Sequence, residues 1–168
     1  MKILSCRLPL PRILQNRKGF TLAEVIVVSA IVAIISAIAI PQMNNLMNTY
    51  RLNGATRLVW ADLQNARMTA IKENGRIQVV FTTTQINPTL FATSYNFIRV
   101  NTGEIIFSRN LQSEYPAITA AKTGGGGITF ESSGITLNNE NATVVAQGSM
   151  GSRSIEIKGT GRITIIWL

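Results

Sequence analysis

A run of twenty-one residues, Phe20 to Ile40, carries seventeen apolar side chains, and no other feature of the chain restricts its structure so tightly. The exceptions are Thr21, Glu24, Ser29 and Ser36. As a helix rising 1.5 Å per residue the run is about 31 Å long, enough to cross the hydrocarbon core of a bilayer. Ahead of it lie Lys2, Arg7, Arg12, Arg17 and Lys18 with no acidic residue among the first nineteen positions. The positive-inside rule therefore places residues 1–19 in the cytoplasm and the rest of the chain outside. The whole chain has sixteen Lys+Arg and eight Asp+Glu, a formal charge of +8. Subtracting the five leading cations leaves eleven against eight, or +3, so most of the basicity belongs to the first nineteen residues.

The remaining length suits one domain with one core. Without histidine the chain has no means of building Ser-His-Asp or Cys-His nucleophiles or histidine metal sites. Cys6 is the single cysteine, which excludes an internal disulfide and a cysteine cluster. An ordinary secretory signal, with Ala37-Ile38-Ala39 as its cleavage pattern, fits poorly, because the apolar run exceeds the usual 7 to 15 residues and contains a carboxylate near its start. A plain membrane anchor fails on the same residue. An ionised Glu24 entering hydrocarbon costs about 3 kcal/mol on insertion scales, so it requires a partner or a task.

The string Lys18-Gly19-Phe20-Thr21-Leu22-Ala23-Glu24, followed by the apolar helix and Pro41, resembles the signal of type IV prepilins and type II secretion pseudopilins. The resemblance implies that a membrane-embedded prepilin peptidase cuts after Gly19, that the new N-terminal Phe20 is N-methylated, that Glu24 serves assembly, and that residues 20–41 form the filament-core helix. It also implies a cleaved leader, residues 1–19, longer than in many relatives and carrying Pro9 and Pro11. The chemistry supports the motif independently. Cleavage before Phe20 creates an ammonium at a helix N-terminus, where the macrodipole is already positive, and that cation must enter an apolar bundle. Glu24 lies one helical turn along. A neighbouring subunit displaced by about a turn can set its amine against this carboxylate, which neutralises both charges and fixes register.

Pro41 supplies no N–H to the helical ladder and is expected to kink the helix near residues 38–41. Beyond it, Leu52, Ala55, Val59, Leu63, Ala66 and Ala70 recur at steps of three and four, whereas Arg51, Asp62, Arg67 and Lys72 are expected on other faces. Asn74-Gly75 reads as the C-cap, ending the helix near Glu73. Then the texture changes to β-rich runs. Strands are expected over 76–84, 90–100, 104–109, 117–120, 127–131, 135–137, 142–146, 154–158 and 162–167, with hairpin-like connections at 101–103 and 132–134 and a flexible loop over 122–127. The fold class is α+β, a long N-terminal helix with a membrane half and an amphipathic half, the latter packed on antiparallel sheet. Residues 42–168 form the exported, periplasmic domain.

Two C-terminal stretches, Ile128-Thr129-Phe130-Glu131-Ser132-Ser133-Gly134 and Ile155 through Ile163, resemble the domain shared by H-type minor pseudopilins and FimT/FimU-like minor pilins. This resemblance implies a non-enzymatic subunit of the inner membrane and then of a pilus or pseudopilus, with other pilin subunits as partners and no cofactor or metal. An alternative comes from FimT-like relatives that capture DNA and carry Gly-Arg-x-Arg near the C-terminus. Here the string is Gly161-Arg162-Ile163-Thr164, lacking the second arginine, although Arg153, Lys158 and Arg162 still make a basic group for DNA. Other motifs dissolve on inspection. Lys122-Thr123 precedes the glycines at 124–127, where a phosphate-binding loop needs it after them. Glu104, Glu114, Glu131, Glu140 and Glu156 show no paired spacing.

Overall fold

The computed structural model describes residues 19–83, 92–123 and 126–166. The leader through Lys18, with Cys6, lies outside the described residues, as do Thr84, the start of the expected strand at 90–91, and Trp167. The chain divides into two compact units, Met1–Ile40 and Pro41–Leu168. Helix α1, Leu22–Lys72, contributes to both and contains Pro41 in its interior.

In the first unit α1 leaves its apolar side chains uncovered. Leu22, Val25, Ile31, Ile35 and Ile40 are all exposed. Its serines are satisfied within the helix, as an apolar environment demands: the Ser29 hydroxyl donates to the Val25 carbonyl and that of Ser36 to Val32, each at 2.7 Å.

In the second unit the six-residue stripe from Leu52 to Ala70 is fully buried and shares one core with both sheets. The helix then stops for a local reason. Asn74 takes a left-handed conformation, the Gly75 N–H reaches back to the Ala70 carbonyl at 3.0 Å, and that of Asn74 bonds Ile71 at 3.2 Å. This double closure satisfies carbonyls that the end of a helix leaves without partners.

Among the described residues eight strands follow: β1 (Ile77–Thr83), β2 (Ala92–Arg99), β3 (Ile105–Asn110), β4 (Thr119–Lys122), β5 (Gly127–Phe130), β6 (Ala142–Gly148), β7 (Gly151–Ile157) and β8 (Ile163–Ile166). They form two four-stranded antiparallel sheets, ordered β3-β2-β1-β5 and β4-β6-β7-β8, in keeping with the expected α+β class. Register follows the period of two. Ile77, Val79 and Phe81 of β1, Tyr95 and Phe97 of β2, and Ile155 and Ile157 of β7 turn inward, while their neighbours along each strand are more exposed. The 101–103 connection is the β2–β3 turn, closed by the Gly103 N–H on the Arg99 carbonyl at 2.8 Å.

Three expectations are corrected. Residues 135–137 are not a strand: only Thr136 forms an isolated bridge, to Phe130, and a 3₁₀ turn follows at Leu137–Asn139. Asn138 and Asn139 both have φ of 58°, incompatible with an extended chain. A short helix, α2 (Leu111–Glu114), follows β3, capped by the Asn110 side chain accepting from the Gln112 N–H at 3.0 Å. It leads through Ala117, whose φ of 67° keeps that residue out of β4. Finally, Asp62 does not fall on another face of α1: at 7% exposure it is buried together with Val59, Leu63 and Ala66 of the stripe.

The Asp62 carboxylate is the hub of a polar network inside the core. It accepts from the Tyr95 hydroxyl at 2.5 Å, and it takes a forked pair from Arg109, Nε to Oδ2 at 2.6 Å and Nη2 to Oδ1 at 3.2 Å. The third nitrogen of Arg109 donates to Glu114 at 2.5 Å, while the guanidinium lies 5.0 Å from the centre of the Phe107 ring. Thus α1, β2, β3 and α2 meet at one buried charge that is fully hydrogen-bonded, the condition under which such burial is tolerated. Burial, together with the neighbouring Asp62 charge, pushes the Tyr95 phenol well above the usual tyrosine range.

Two outcomes follow for the domain from Gln42. Arg109→Ala leaves Asp62 without its counter-ion and is expected to cost about 3 kcal/mol in urea unfolding, the low end for a broken buried pair because the guanidinium is one-fifth exposed. The second outcome concerns alkaline pH. Native Tyr95 keeps its proton where the unfolded phenol loses it, so this group's stabilising contribution is complete below pH ~10 and is lost as pH rises further. Tyr95→Phe is expected to flatten the fall in unfolding free energy above pH ~10 by up to about 1.4 kcal/mol per pH unit, read from urea titrations on the alkaline side.

Candidate functional site

The first candidate surface is the start of α1. Gly19, Phe20 and Thr21 precede the helix, and Phe20 is 80% exposed. Thr21 is the N-cap: its carbonyl accepts from the Val25 N–H at 3.2 Å, and its hydroxyl oxygen accepts from the Glu24 N–H, also at 3.2 Å. Glu24 therefore stands at the third helical position, in the favourable field of the helix N-terminus. Among the described residues its carboxylate has no ion pair, and from Val25 to Ile40 no other charged side chain occurs. Pro41 lies at the boundary between the two units. Thr21-Leu22-Ala23-Glu24 is a capping-box sequence, a signal visible in the primary structure.

The second candidate is the C-terminal basic group, which the fold only partly brings together. Lys158 and Arg162 flank one tight turn between β7 and β8, joined by the Lys158 N–H on the Arg162 carbonyl at 2.8 Å, and both side chains are exposed. Arg153 lies on β7 opposite Ala146, roughly 17 Å along the strand from Lys158 at 3.4 Å per residue. It is half-buried, and its Nη1 donates to the Ser152 carbonyl at 3.0 Å.

The Gly159-Thr160-Gly161 turn has a packing reason for its glycines. A Cβ on Gly159 would lie 2.0 Å from the Asn139 carbonyl oxygen, and one on Gly161, where φ is +81°, would lie 1.9 Å from that of Gly134. The same turn is held by the Thr136 N–H on the Gly159 carbonyl at 3.0 Å and the Gly159 N–H on Asn141 Oδ1 at 2.8 Å. Arg67 of α1 joins from the helix side, its Nε donating to the Gly134 carbonyl at 2.7 Å. The β7–β8 turn is thus clasped against the connection between β5 and β6, which carries the chain from one sheet to the other.

Sequence reasoning missed Asp62, because a lone acid one step from an apolar stripe carries no local sign of a tyrosine 33 positions away and an arginine 47 positions away. It also missed the capping role of Thr21, although the Thr-x-x-Glu spacing was present to be read.

Comparison with known proteins supports the same picture. The prokaryotic N-terminal methylation motif matches residues 14–40. Type II transport protein GspH matches residues 55–161. No curated protein matches the chain. Among solved structures, the type IV minor pilin FimU of Pseudomonas aeruginosa is similar in two crystal forms. In the P21 form the TM-score is 0.56 at 17% identity, covering 72% of this chain and 92% of FimU; in the P65 form it is 0.53 at 17%, covering 68% and 91%. At this identity the likeness establishes the fold. Since the GspH match spans well over half of the 168 residues and is preceded by a methylation motif, the chain belongs to the Type II transport protein GspH family and is a minor pilin or pseudopilin.

Proposed function

We propose that the chain is made as a precursor, cut by a prepilin peptidase between Gly19 and Phe20, N-methylated at Phe20, and packed among other pilin subunits through α1 as a non-enzymatic part of a type IV pilus or a type II secretion pseudopilus. Before assembly it is a single-pass protein of the inner membrane with its domain in the periplasm. The observation that carries this reading is the start of α1: an exposed, non-helical Gly19–Phe20 bond just ahead of the stretch of α1 up to Ile40, whose apolar side chains are uncovered and whose single carboxylate, Glu24, lies one turn from the amine that cleavage would create. The Glu24 carboxylate meets the amine of a neighbouring subunit, and the two charges leave water together. Pro41, lacking an N–H, leaves one hydrogen bond of the helical ladder unmade.

The mature protein is then expected to begin at N-methylated Phe20, to lack Cys6 and so to have no free thiol. Intact-mass analysis checks this, and a start at Ile40 would sink the reading in favour of signal peptidase. Glu24→Ala is expected to abolish entry into filaments while leaving the unfolding of the Gln42 domain unchanged, as quantified in sheared filament fractions at native expression.

DNA capture by the exposed domain is a second reading, and one observation favours it: Lys158 and Arg162 project from the same turn. Two phosphate contacts would contribute about 1.8 to the log-log salt slope, at roughly 0.9 each, and removing both cations would abolish that share. With a mature charge of +3 and Thr164 in place of a second arginine, binding of short duplex DNA at physiological salt is expected to be micromolar or weaker. Nanomolar affinity lost on Arg162→Ala would place DNA capture first.

A further inference from the structure

We propose that Thr21 is a positioning residue for cleavage: as the N-cap of α1 it stops the helix two residues short of the Gly19–Phe20 bond and keeps the scissile carbonyl outside the helical ladder. The inference rests on the processing reading above and adds to it the residue that makes the bond cleavable.

Two hydrogen bonds define the cap. The Thr21 carbonyl accepts the first bond of the helix, from the Val25 N–H, and the Thr21 hydroxyl oxygen takes the otherwise unpartnered Glu24 N–H. The first residue of α1 is therefore Leu22, and Gly19 and Phe20 remain exposed and non-helical. A peptidase must attack the Gly19 carbonyl carbon, and a carbonyl that is already accepting from the backbone four residues on is held in the helix and shielded on that side. Nothing else in the local sequence enforces the stop. Phe20, Leu22 and Ala23 are compatible with helix, and with alanine at position 21 the next residue upstream that caps well is Gly19. A helix capped at Gly19 would begin at Phe20. The Gly19 carbonyl, the one to be attacked, would then accept from the Ala23 N–H, and the scissile peptide would become the first bond of the helix.

The prediction separates the acceptor oxygen from the branched shape of threonine. Serine keeps the oxygen without the methyl group, whereas valine keeps the branch without the oxygen. Because only the unwound fraction can be cut, losing the cap lowers the cleavable population, and kcat/KM falls in proportion.

The test is cleavage of the full-length precursor in proteoliposomes by a prepilin peptidase, with initial rates taken for wild type, Thr21→Ala, Thr21→Val and Thr21→Ser. Hydrogen exchange across residues 19–24 of the uncut precursors is measured in parallel. Expected are rates about fivefold lower for the alanine and valine forms, equivalent to roughly 1 kcal/mol, near wild-type rate for the serine form, and protection that spreads to residues before Leu22 in the two slow forms only. Wild-type rates for both Thr21→Ala and Thr21→Val would overturn the proposal, and so would a slow Thr21→Ser or a fast Thr21→Val. If the wild-type precursor itself is not cut after Gly19, the processing reading fails instead. The two failures are therefore distinct.

Discussion

Burial of one helical stripe underlies the second unit. Leu52, Ala55, Val59, Leu63, Ala66 and Ala70 are nearly or fully inaccessible, and the cluster they belong to includes residues of both sheets. Neither four-stranded sheet covers its own inward face; each has an apolar side that needs a partner. The alanines at 55, 66 and 70 are as completely buried as the larger Tyr95, Phe97 and Phe130 of the same cluster. Phe81, Tyr95, Phe97 and Phe107 form a chain of neighbouring rings beneath the helix, with centroids 4.7 to 6.3 Å apart.

Two polar devices then determine how the strands are arranged around that stripe. Asp62 reaches Tyr95 and Arg109, and through Arg109 it reaches Glu114, which ties the edge strand β3 and the short helix α2 to α1. On the other side, Trp60 donates its indole N–H to the Ile163 carbonyl at 3.1 Å, and Arg67 holds the Gly134 carbonyl. The helix thus bonds directly to β2 and β3 of the first sheet, to β8 of the second, and to the connection between them. Apolar burial supplies most of the driving force, but it is non-directional, and these directed bonds favour one arrangement over neighbouring ones.

The charges are divided in a manner that suits a filament part. Of the acids in the second unit, Asp62, Glu73, Glu104, Glu114 and Glu131 are all engaged by arginines of the same domain. Glu24 is different: among the described residues it has no ion pair, and it lies in a stretch with no cation from Phe20 to Ile40. In the proposed assembly its counter-charge is the amine exposed by cleavage. A group that is costly when alone and neutral when paired favours assembled over isolated subunits and also sets their register.

The primary structure alone determined what depends on neighbours along the chain. An apolar run with one carboxylate, the Gly19–Phe20 junction, the three-and-four spacing of the α1 stripe, the Asn74-Gly75 stop and the alternation of β1, β2 and β7 are all local, and local steric and hydrophobic rules act on them before any tertiary contact exists. Asp62 was misplaced because its burial depends on Tyr95 and Arg109, which pairing of β2 with β3 delivers to it from far along the chain. The segment at 135–137 was misread because β-forming residues there are overruled by the clasp with Gly159 and Gly161. Arg153 was grouped with Lys158 and Arg162 by sequence proximity, and strand geometry separates it from them. The division into two sheets was equally hidden, since a strand's sequence specifies which face is apolar but not which edge it joins; that choice belongs to the tertiary structure, where long-range hydrogen bonds and close glycine contacts select among pairings that local pattern leaves equivalent.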